Sequence, residues 1–182
     1  MENLPLVPLI PFVSAAILIA TAGRLPKMVV SMLGAGSIAV AGLLVLNIGL
    51  EFLNDPTPMS IHLWTWISIN DFKPAFAFYL DGLALVMMSV ITGVGFLIHL
   101  YSTEFMQDDA SFSRYFAYMN LFVSAMLILV LADNLLLMFL GWEGVGICSY
   151  LLVGFWYQDP ANGAAARKAF IVTRIGDTSM AL

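Results

Sequence analysis

Apolar stretches of helix length, separated by short polar segments, make up most of the chain. A helix needs about 20 mostly apolar residues to cross the hydrocarbon core of a bilayer. Five stretches meet this requirement and predict full membrane spans, over residues 4–22, 28–53, 83–101, 115–131 and 135–156. A sixth begins near Gly163 and reaches Leu182 with no cap, glycine or proline to end it, which favours an N-terminal fragment of a longer protein.

The first stretch has a second interpretation, a cleaved secretory signal. Such a signal starts with basic residues, whereas Met1, Glu2 and Asn3 open this chain and its first basic residue is Arg24. We therefore expect the first stretch to be retained as a membrane helix.

Basic residues orient the spans, because Lys and Arg concentrate in cytoplasmic loops. With the N-terminus outside, only Lys73 lies in an outer loop. The inner ends and inner loops then hold Arg24, Lys27, Arg114, Arg167 and Lys168. The sequence therefore predicts an outward-facing N-terminus.

The segment between the second and third stretches has a different periodicity. In SIHLWTWISINDFKPAFAFYLDG, a period of two over residues 63–69 would place the odd-numbered side chains on one face and Trp64, Trp66 and Ser68 on the other. The alternation resumes over residues 76–78, and the turn formers Asn70 and Asp71 lie between the two stretches. A period of two is typical of a β-strand, so this segment predicts a short β-hairpin at the outer membrane surface.

The hairpin divides the chain into three parts. These are residues 1–53 with the first two spans, residues 54–80 as the outer loop, and residues 81–182 with the remaining spans. Asp81 is placed to cap the third span at its N-terminus. Trp64 and Trp66 suit either an aromatic belt that anchors the loop in the membrane or a docking surface for a neighbouring subunit.

Composition sets the class of protein. Of the 182 residues, 61% are hydrophobic and 10% are charged, whereas a soluble domain has about 25% charged residues. The expected fold is an all-α membrane bundle with five full spans, the start of a sixth and a short outer β-hairpin. We expect the bundle to lie in a lipid bilayer, and we do not expect nucleic acid as a partner.

Few residues offer metal or redox chemistry. Cys148 is the single cysteine, and one cysteine is too few for this chain alone to build a disulfide, an iron–sulfur cluster or a zinc site. His99 lies near the inner end of the third span with no histidine in another span, which favours an interfacial polar residue over a haem ligand. We therefore expect no metal and no cofactor in this chain.

Glu143 is the only charged residue in the fifth stretch. It lies eight residues beyond Leu135, or about 12 Å into a hydrocarbon core about 30 Å thick. An unpaired charge there costs at least ~3 kcal/mol, so the carboxylate needs a partner, water or a proton. Gly146 leaves space on the same helix face and Tyr150 offers a hydroxyl there, which suggests water. Its charged partner must come from another helix.

The sixth stretch carries a second group of buried charges. It enters the membrane near Lys168 and takes Arg174 and Asp177 into apolar surroundings. Three residues separate Arg174 from Asp177, so these two side chains can pair on one helix. Because consecutive spans run in opposite directions, Asp177 and Glu143 are expected at similar depths.

Two kinds of role explain such charges. A structural ion pair would tie helices together, although desolvation offsets much of its attraction. A proton relay uses carboxylates near the membrane centre, where ionisable residues mark transport pathways by default. The depth of Glu143 and Asp177 favours the relay.

Four segments resemble one known family. They are FLGWEGVGICSYLLVGFWY, AAARKAFIVTRIGD, FYLDGLALVMMSVITGVGFLIHLYS and ADNLLLMFLGWEG. Together they resemble the antiporter-like chain L of bacterial NADH:quinone oxidoreductase, respiratory complex I, over the whole length of the sequence. The most specific element is the run from Trp142 to Val145 followed by Cys148, Ser149 and Tyr150.

The resemblance implies a proton-translocating role. It makes Glu143 a pathway residue at the membrane centre, supported by Arg174 and Asp177, with Tyr150 and Lys168 as further candidates. It implies that a lysine on a later helix pairs with Glu143 and that the outer hairpin links neighbouring antiporter-like chains.

The resemblance also implies a setting. The chain would be a non-redox subunit of a bacterial inner-membrane enzyme, with NADH, FMN, iron–sulfur clusters and quinone bound by partner subunits. The main alternative is the large subunit of an Mrp-type cation/proton antiporter. A dissolved-carbon transporter and a purely structural membrane module are further alternatives.

Overall fold

The computed structural model describes residues 3–71 and 73–181, and it contains six α-helices and two β-strands there. The elements are α1 (Leu6–Ala20), α2 (Lys27–Asn54), β1 (Met59–Thr65), β2 (Ala75–Leu80), α3 (Gly82–Phe105), α4 (Phe112–Leu131), α5 (Leu135–Val153) and α6 (Pro160–Ala181). Each apolar stretch of the sequence forms a helix, and the alternating segment forms the hairpin.

Four of these helices are long and apolar enough to cross a membrane: α2, α3, α4 and α5. Helix α1 is apolar but has only 15 residues, shorter than the roughly 20 that a full span needs. The prediction of five full spans is therefore not confirmed. The chain is a mostly helical membrane protein with a small two-stranded sheet.

Helix α4 lies at the centre of the bundle and packs against α1, α2, α3 and α5. Its fully buried Leu127 and Leu131 meet Ile38 of α2 and Met88 of α3 in the larger apolar core. Helix α6 packs against α5. As a result, α5 separates α6 from the central helix.

The hairpin is held against the turn between α4 and α5. Strands β1 and β2 pair antiparallel, with an irregularity between His62 and Trp64. The Asn134 amide donates to the Ala75 carbonyl at 2.8 Å, and the Asp133 backbone N–H donates to the Ala77 carbonyl at 3.2 Å. The hairpin therefore sets where α5 begins.

Side-chain caps begin the two helices next to the hairpin. The Asp81 carboxylate accepts from the Ala84 backbone N–H at 2.7 Å, which confirms the predicted cap of α3. The Asn134 side chain accepts from the Leu137 N–H at 3.0 Å at the start of α5. Each cap satisfies a backbone donor that the first helical turn leaves without an acceptor.

His99 is fully buried between helices, and its depth near the membrane interface stays a prediction. One ring nitrogen, Nδ1, lies 2.7 Å from the Gly95 carbonyl, and the ring faces Phe116 of α4. The sequence places His99 near a helix end, but α4 packs over that part of α3. Burial here follows from how the helices pack, which helix position alone does not reveal.

Candidate functional site

The face of α5 that meets α4 is lined by small residues. A Cβ atom at Gly141 would lie 2.7 Å from the Leu129 backbone, and one at Gly144 would lie 3.1 Å from the Ala125 Cβ. Glycine therefore lets the two helix backbones approach closely, as small residues do in membrane bundles. This contact sets the rotation of α5. Because Glu143 is two positions, or about 200°, away from Gly141, it faces away from α4.

The face of α5 that carries Glu143 packs against α6. Gly154, which directly follows α5, lies against Ala166 of α6, and the Tyr150 ring lies 5.4 Å from the Phe170 ring. Further along both helices, a Cβ atom at Gly146 would overlap the Arg174 guanidinium. The helices are antiparallel, and steps of four residues on each keep them in register.

This register brings three of the sequence-predicted site residues together. Arg174 of α6 forms an ion pair with Glu143 of α5. It also lies near Asp177 on its own helix, with Nε 3.3 Å from Oδ2. One guanidinium therefore serves two carboxylates. The side chains are shielded to different degrees, with 8% of Asp177, 22% of Arg174 and 25% of Glu143 exposed.

Trp142 is the site residue that sequence reasoning missed. Its indole N–H donates to the Asp177 Oδ1 at 2.7 Å across the α5–α6 interface. The sequence carries a signal for this contact. An indole ring has one N–H donor and no acceptor, and a tryptophan removed from water usually donates that N–H to a polar partner. Trp142 precedes Glu143 in an apolar helix, so an acceptor on a neighbouring helix is the expected solution.

The partner of Glu143 differs from the expectation in one respect. Helix spacing predicted a pair of Arg174 with Asp177, and the family resemblance implied a lysine on a later helix as the partner of Glu143. In the structure the partner of Glu143 does come from another helix, but it is Arg174. The long arginine side chain reaches across the interface because Gly146 has no Cβ to obstruct it.

The same geometry changes the prediction about water. The space beside Gly146 is occupied by the Arg174 guanidinium, so it is not free for water next to Glu143. A helix position that lacks a side chain creates room, but the neighbouring helix decides what fills it.

The two further candidates lie outside the direct contacts of this cluster. The Tyr150 ring is tilted by 59° against the Phe170 ring, which lies 4.7 Å from the Arg174 guanidinium carbon. Lys168 is exposed and lies six residues before Arg174, about 9 Å along the helix axis. Their support of a pathway stays a prediction.

A second tryptophan–carboxylate contact lies at the other end of α5, outside the cluster. The Trp156 indole N–H donates to the Asp109 Oδ2 at 2.9 Å. This bond lowers the pKa of Asp109 below its ordinary value, and a second bond from the Ser111 backbone N–H lowers it further. Asp109 lies in the connection between α3 and α4, so the contact joins that connection to the end of α5.

Chemically, the cluster can hold charge in an apolar setting. Glu143 and Asp177 are acceptors when ionised, and Arg174 and Trp142 are donors, so α5 and α6 each contribute one donor and one acceptor. A carboxylate at such a site accepts or releases a proton according to where its partners lie. Within residues 3–71 and 73–181, no group of three His, Cys, Asp or Glu side chains is arranged to hold a metal ion.

Comparison with known families gives two matches. The family described as NADH-Ubiquinone oxidoreductase (complex I), chain 5 N-terminus, matches residues 66–116. The family described as NADH:quinone oxidoreductase/Mrp antiporter, TM, matches residues 132–182, which include the whole cluster. The Mrp complex from Dietzia sp. shares the fold over 98% of this chain, with a TM-score of 0.80, 24% identity and 18% of that chain covered.

Curated relatives give closer similarity. NADH-quinone oxidoreductase subunit L of Escherichia coli is 52% identical over all of this chain, and that of Pseudomonas aeruginosa is 47% identical over all of it. The chain spans 30% of the length of each of these relatives.

A membrane-helix bundle that holds a partly buried glutamate–arginine–aspartate cluster, and that matches these families, defines an antiporter-like membrane chain. Within that class, this chain belongs to the NADH-quinone oxidoreductase subunit L family.

Proposed function

We propose that the chain carries part of a proton-translocating pathway in a respiratory NADH:quinone oxidoreductase. The observation that carries the proposal is the Glu143–Arg174–Asp177 cluster at the interface of α6 with the apolar helix α5. Proton movement requires a group whose charge changes and a partner that compensates that charge. Glu143 is the group that exchanges the proton, Arg174 compensates its negative charge, and Asp177 shares the same cation.

The subunit acts at a distance from the redox chemistry. NADH, FMN, iron–sulfur clusters and quinone bind to partner subunits, and this chain contributes no redox centre. Electron transfer from NADH to quinone supplies the energy, and the cluster converts it into proton movement. Tyr150 and Lys168 extend the pathway from Arg174 along the α5–α6 interface.

The test is purification of the complete protein through a tag on this chain. We expect flavin and iron–sulfur subunits to co-purify, together with NADH:quinone oxidoreductase activity. Co-purification with small membrane subunits alone, without flavin or iron–sulfur absorbance, would contradict the assignment to a respiratory oxidoreductase. It would support the alternative function, an Mrp-type antiporter, which the shared fold with an Mrp complex favours.

The three parts of the chain have different roles in this proposal. Residues 1–53 hold the first two spans, residues 54–80 form the outer loop with its hairpin, and residues 81–182 hold the later helices of the translocating core. Helix α1 and the residues around it form one more full span in addition to α2, α3, α4 and α5, which makes five. Helix α6 begins a sixth span. The hairpin contacts a neighbouring antiporter-like chain, for which Trp64 and Trp66 remain 52% and 43% exposed.

The proposed topology places the N-terminus outside the bacterial inner membrane. A cysteine at Asn3 should then react with a membrane-impermeant maleimide added to intact cells. The background is Cys148→Ser, which removes the chain's only cysteine. Asp108→Cys, in the connection between α3 and α4, is the opposite control and should react only after the membrane is opened.

The reverse pattern would overturn this orientation. If Asp108→Cys reacts in intact cells and Asn3→Cys does not, the inner and outer sides are exchanged. The positive-inside argument would then fail for this chain.

A further inference from the structure

Two carboxylates at the α5–α6 interface compete for one cation. Arg174 pairs with Glu143 and also lies 3.3 Å from Asp177. The contact with Asp177 is close enough for an ion pair, but among the described residues neither the Arg174 Nε nor the Asp177 Oδ2 has a hydrogen-bond partner. The ion-pair contact with Arg174 therefore does not give Asp177 a hydrogen bond.

The Trp142 indole supplies what Arg174 lacks. The Trp142 indole N–H donates to the Asp177 Oδ1, with 2.7 Å between Nε1 and Oδ1. This is the one side-chain hydrogen bond that Asp177 accepts among residues 3–71 and 73–181. The Asp177 side chain is only 8% exposed, and a buried carboxylate without such a donor is costly. An indole cannot change its charge near neutral pH, so this donor is constant while its neighbours change protonation.

The position of Trp142 makes the two carboxylates unequal. Trp142 comes directly before Glu143 on α5 but directs its donor to Asp177 on α6. When Glu143 takes up a proton, Arg174 loses one of its two anionic partners, whereas Asp177 keeps its bond to the indole. Glu143 has no comparable second donor among the described residues, and its side chain is the more exposed of the two carboxylates.

We infer that Trp142 is a positioning residue that anchors Asp177 by its indole N–H, so that Glu143 is the carboxylate that exchanges its partner. This inference rests on the proposed proton-translocating function. Without the indole donor, Asp177 draws Arg174 towards itself, and both carboxylates then exchange partners. Coupling between redox turnover and proton movement is reduced as a consequence.

The test uses Trp142→Phe in the complete enzyme complex, because phenylalanine keeps an aromatic ring but has no N–H donor. Trp156→Phe is the matched control, since Trp156 also donates to a carboxylate but outside the cluster. We expect Trp142→Phe to lower protons pumped per NADH oxidised severalfold at unchanged assembly. Trp156→Phe should leave this ratio at the wild-type value.

Infrared spectroscopy reads the anchor directly. The Asp177 carboxylate band, identified by its loss in Asp177→Asn, should shift in Trp142→Phe and stay unshifted in Trp156→Phe. In the Asp177→Asn background, Trp142→Phe should cause no further drop in the pumping ratio.

An unshifted Asp177 band in Trp142→Phe overturns the inference, as does a normal pumping ratio per assembled complex. A drop in assembly with a normal ratio would mean that Trp142 only ties α5 to α6. These outcomes differ from failure of the proposed function, in which Glu143→Gln itself pumps normally while the infrared shift is still observed.

Discussion

Replacement of Glu143 by Gln is expected to abolish most proton pumping while the enzyme complex still assembles. Glutamine has nearly the same shape but cannot carry a proton on and off a carboxylate. Proton transfer by a positioned side chain contributes roughly 10²–10⁴-fold to a rate, so a loss of about tenfold or more in pumping is expected. The measurement is proton uptake into vesicles that contain the purified complex, divided by the amount of complex.

Glu104→Gln is the matched control for this substitution. Glu104 lies near the end of α3, is exposed, and accepts a bond from Gln107 outside the cluster. The same change of carboxylate to amide there should leave pumping at the wild-type level. Normal pumping by Glu143→Gln would remove Glu143 from the pathway and leave it a structural role.

Replacement of Arg174 by Gln is expected to have the largest effect on stability and assembly. Both Glu143 and Asp177 then lose their cation in an apolar setting. Removing one partner of a buried ion pair costs about 3–5 kcal/mol, because it leaves an uncompensated charge. The amount of assembled complex and its thermal denaturation temperature should both fall, and pumping should fall with them.

Further neutral variants separate the structural part of this effect from the functional part. Arg174→Gln combined with Asp177→Asn should damage assembly less than Arg174→Gln alone, because it removes one of the two stranded charges. Adding Glu143→Gln should restore assembly further but leave pumping impaired. If the triple variant pumps normally, the charges only tie α5 to α6.

Arg167→Gln tests whether loss of any basic residue on α6 has the same effect. Arg167 is on the same helix but is exposed, so its loss should leave assembly near the wild-type level. Additive effects of Arg174→Gln and Asp177→Asn, in assembly and in pumping alike, would show that the two side chains do not interact.

Much of the fold is readable from local sequence because each element has its own periodicity. Continuous apolar stretches predict the helices, and the alternation around Trp64 predicts the hairpin, since a strand repeats every two residues. The cap at Asp81 follows from the same local reasoning. The shortness of α1 was missed, because an apolar stretch shows where a helix is favourable but not where its backbone turns.

The three charged members of the candidate site were readable from the sequence, but Trp142 and the contacts among the four side chains were not. Glu143, Arg174 and Asp177 stand out because isolated charges in apolar helices are costly. The pairing of Arg174 with Glu143 depends on the register between α5 and α6, which distance along one helix cannot supply. The Trp142 contact with Asp177 depends on the same register.

By itself, the sequence determined which segments form helices and which charged residues those helices carry. The tertiary structure alone decided which side chains meet. Close approach of α5 to α4 at Gly141 and Gly144 sets the rotation of α5, and packing against α6 sets the register that brings Arg174 to Glu143. The physical reason is that hydrophobicity acts on each helix separately and has no direction, whereas rotation and register come from the fit of side chains on two facing helices.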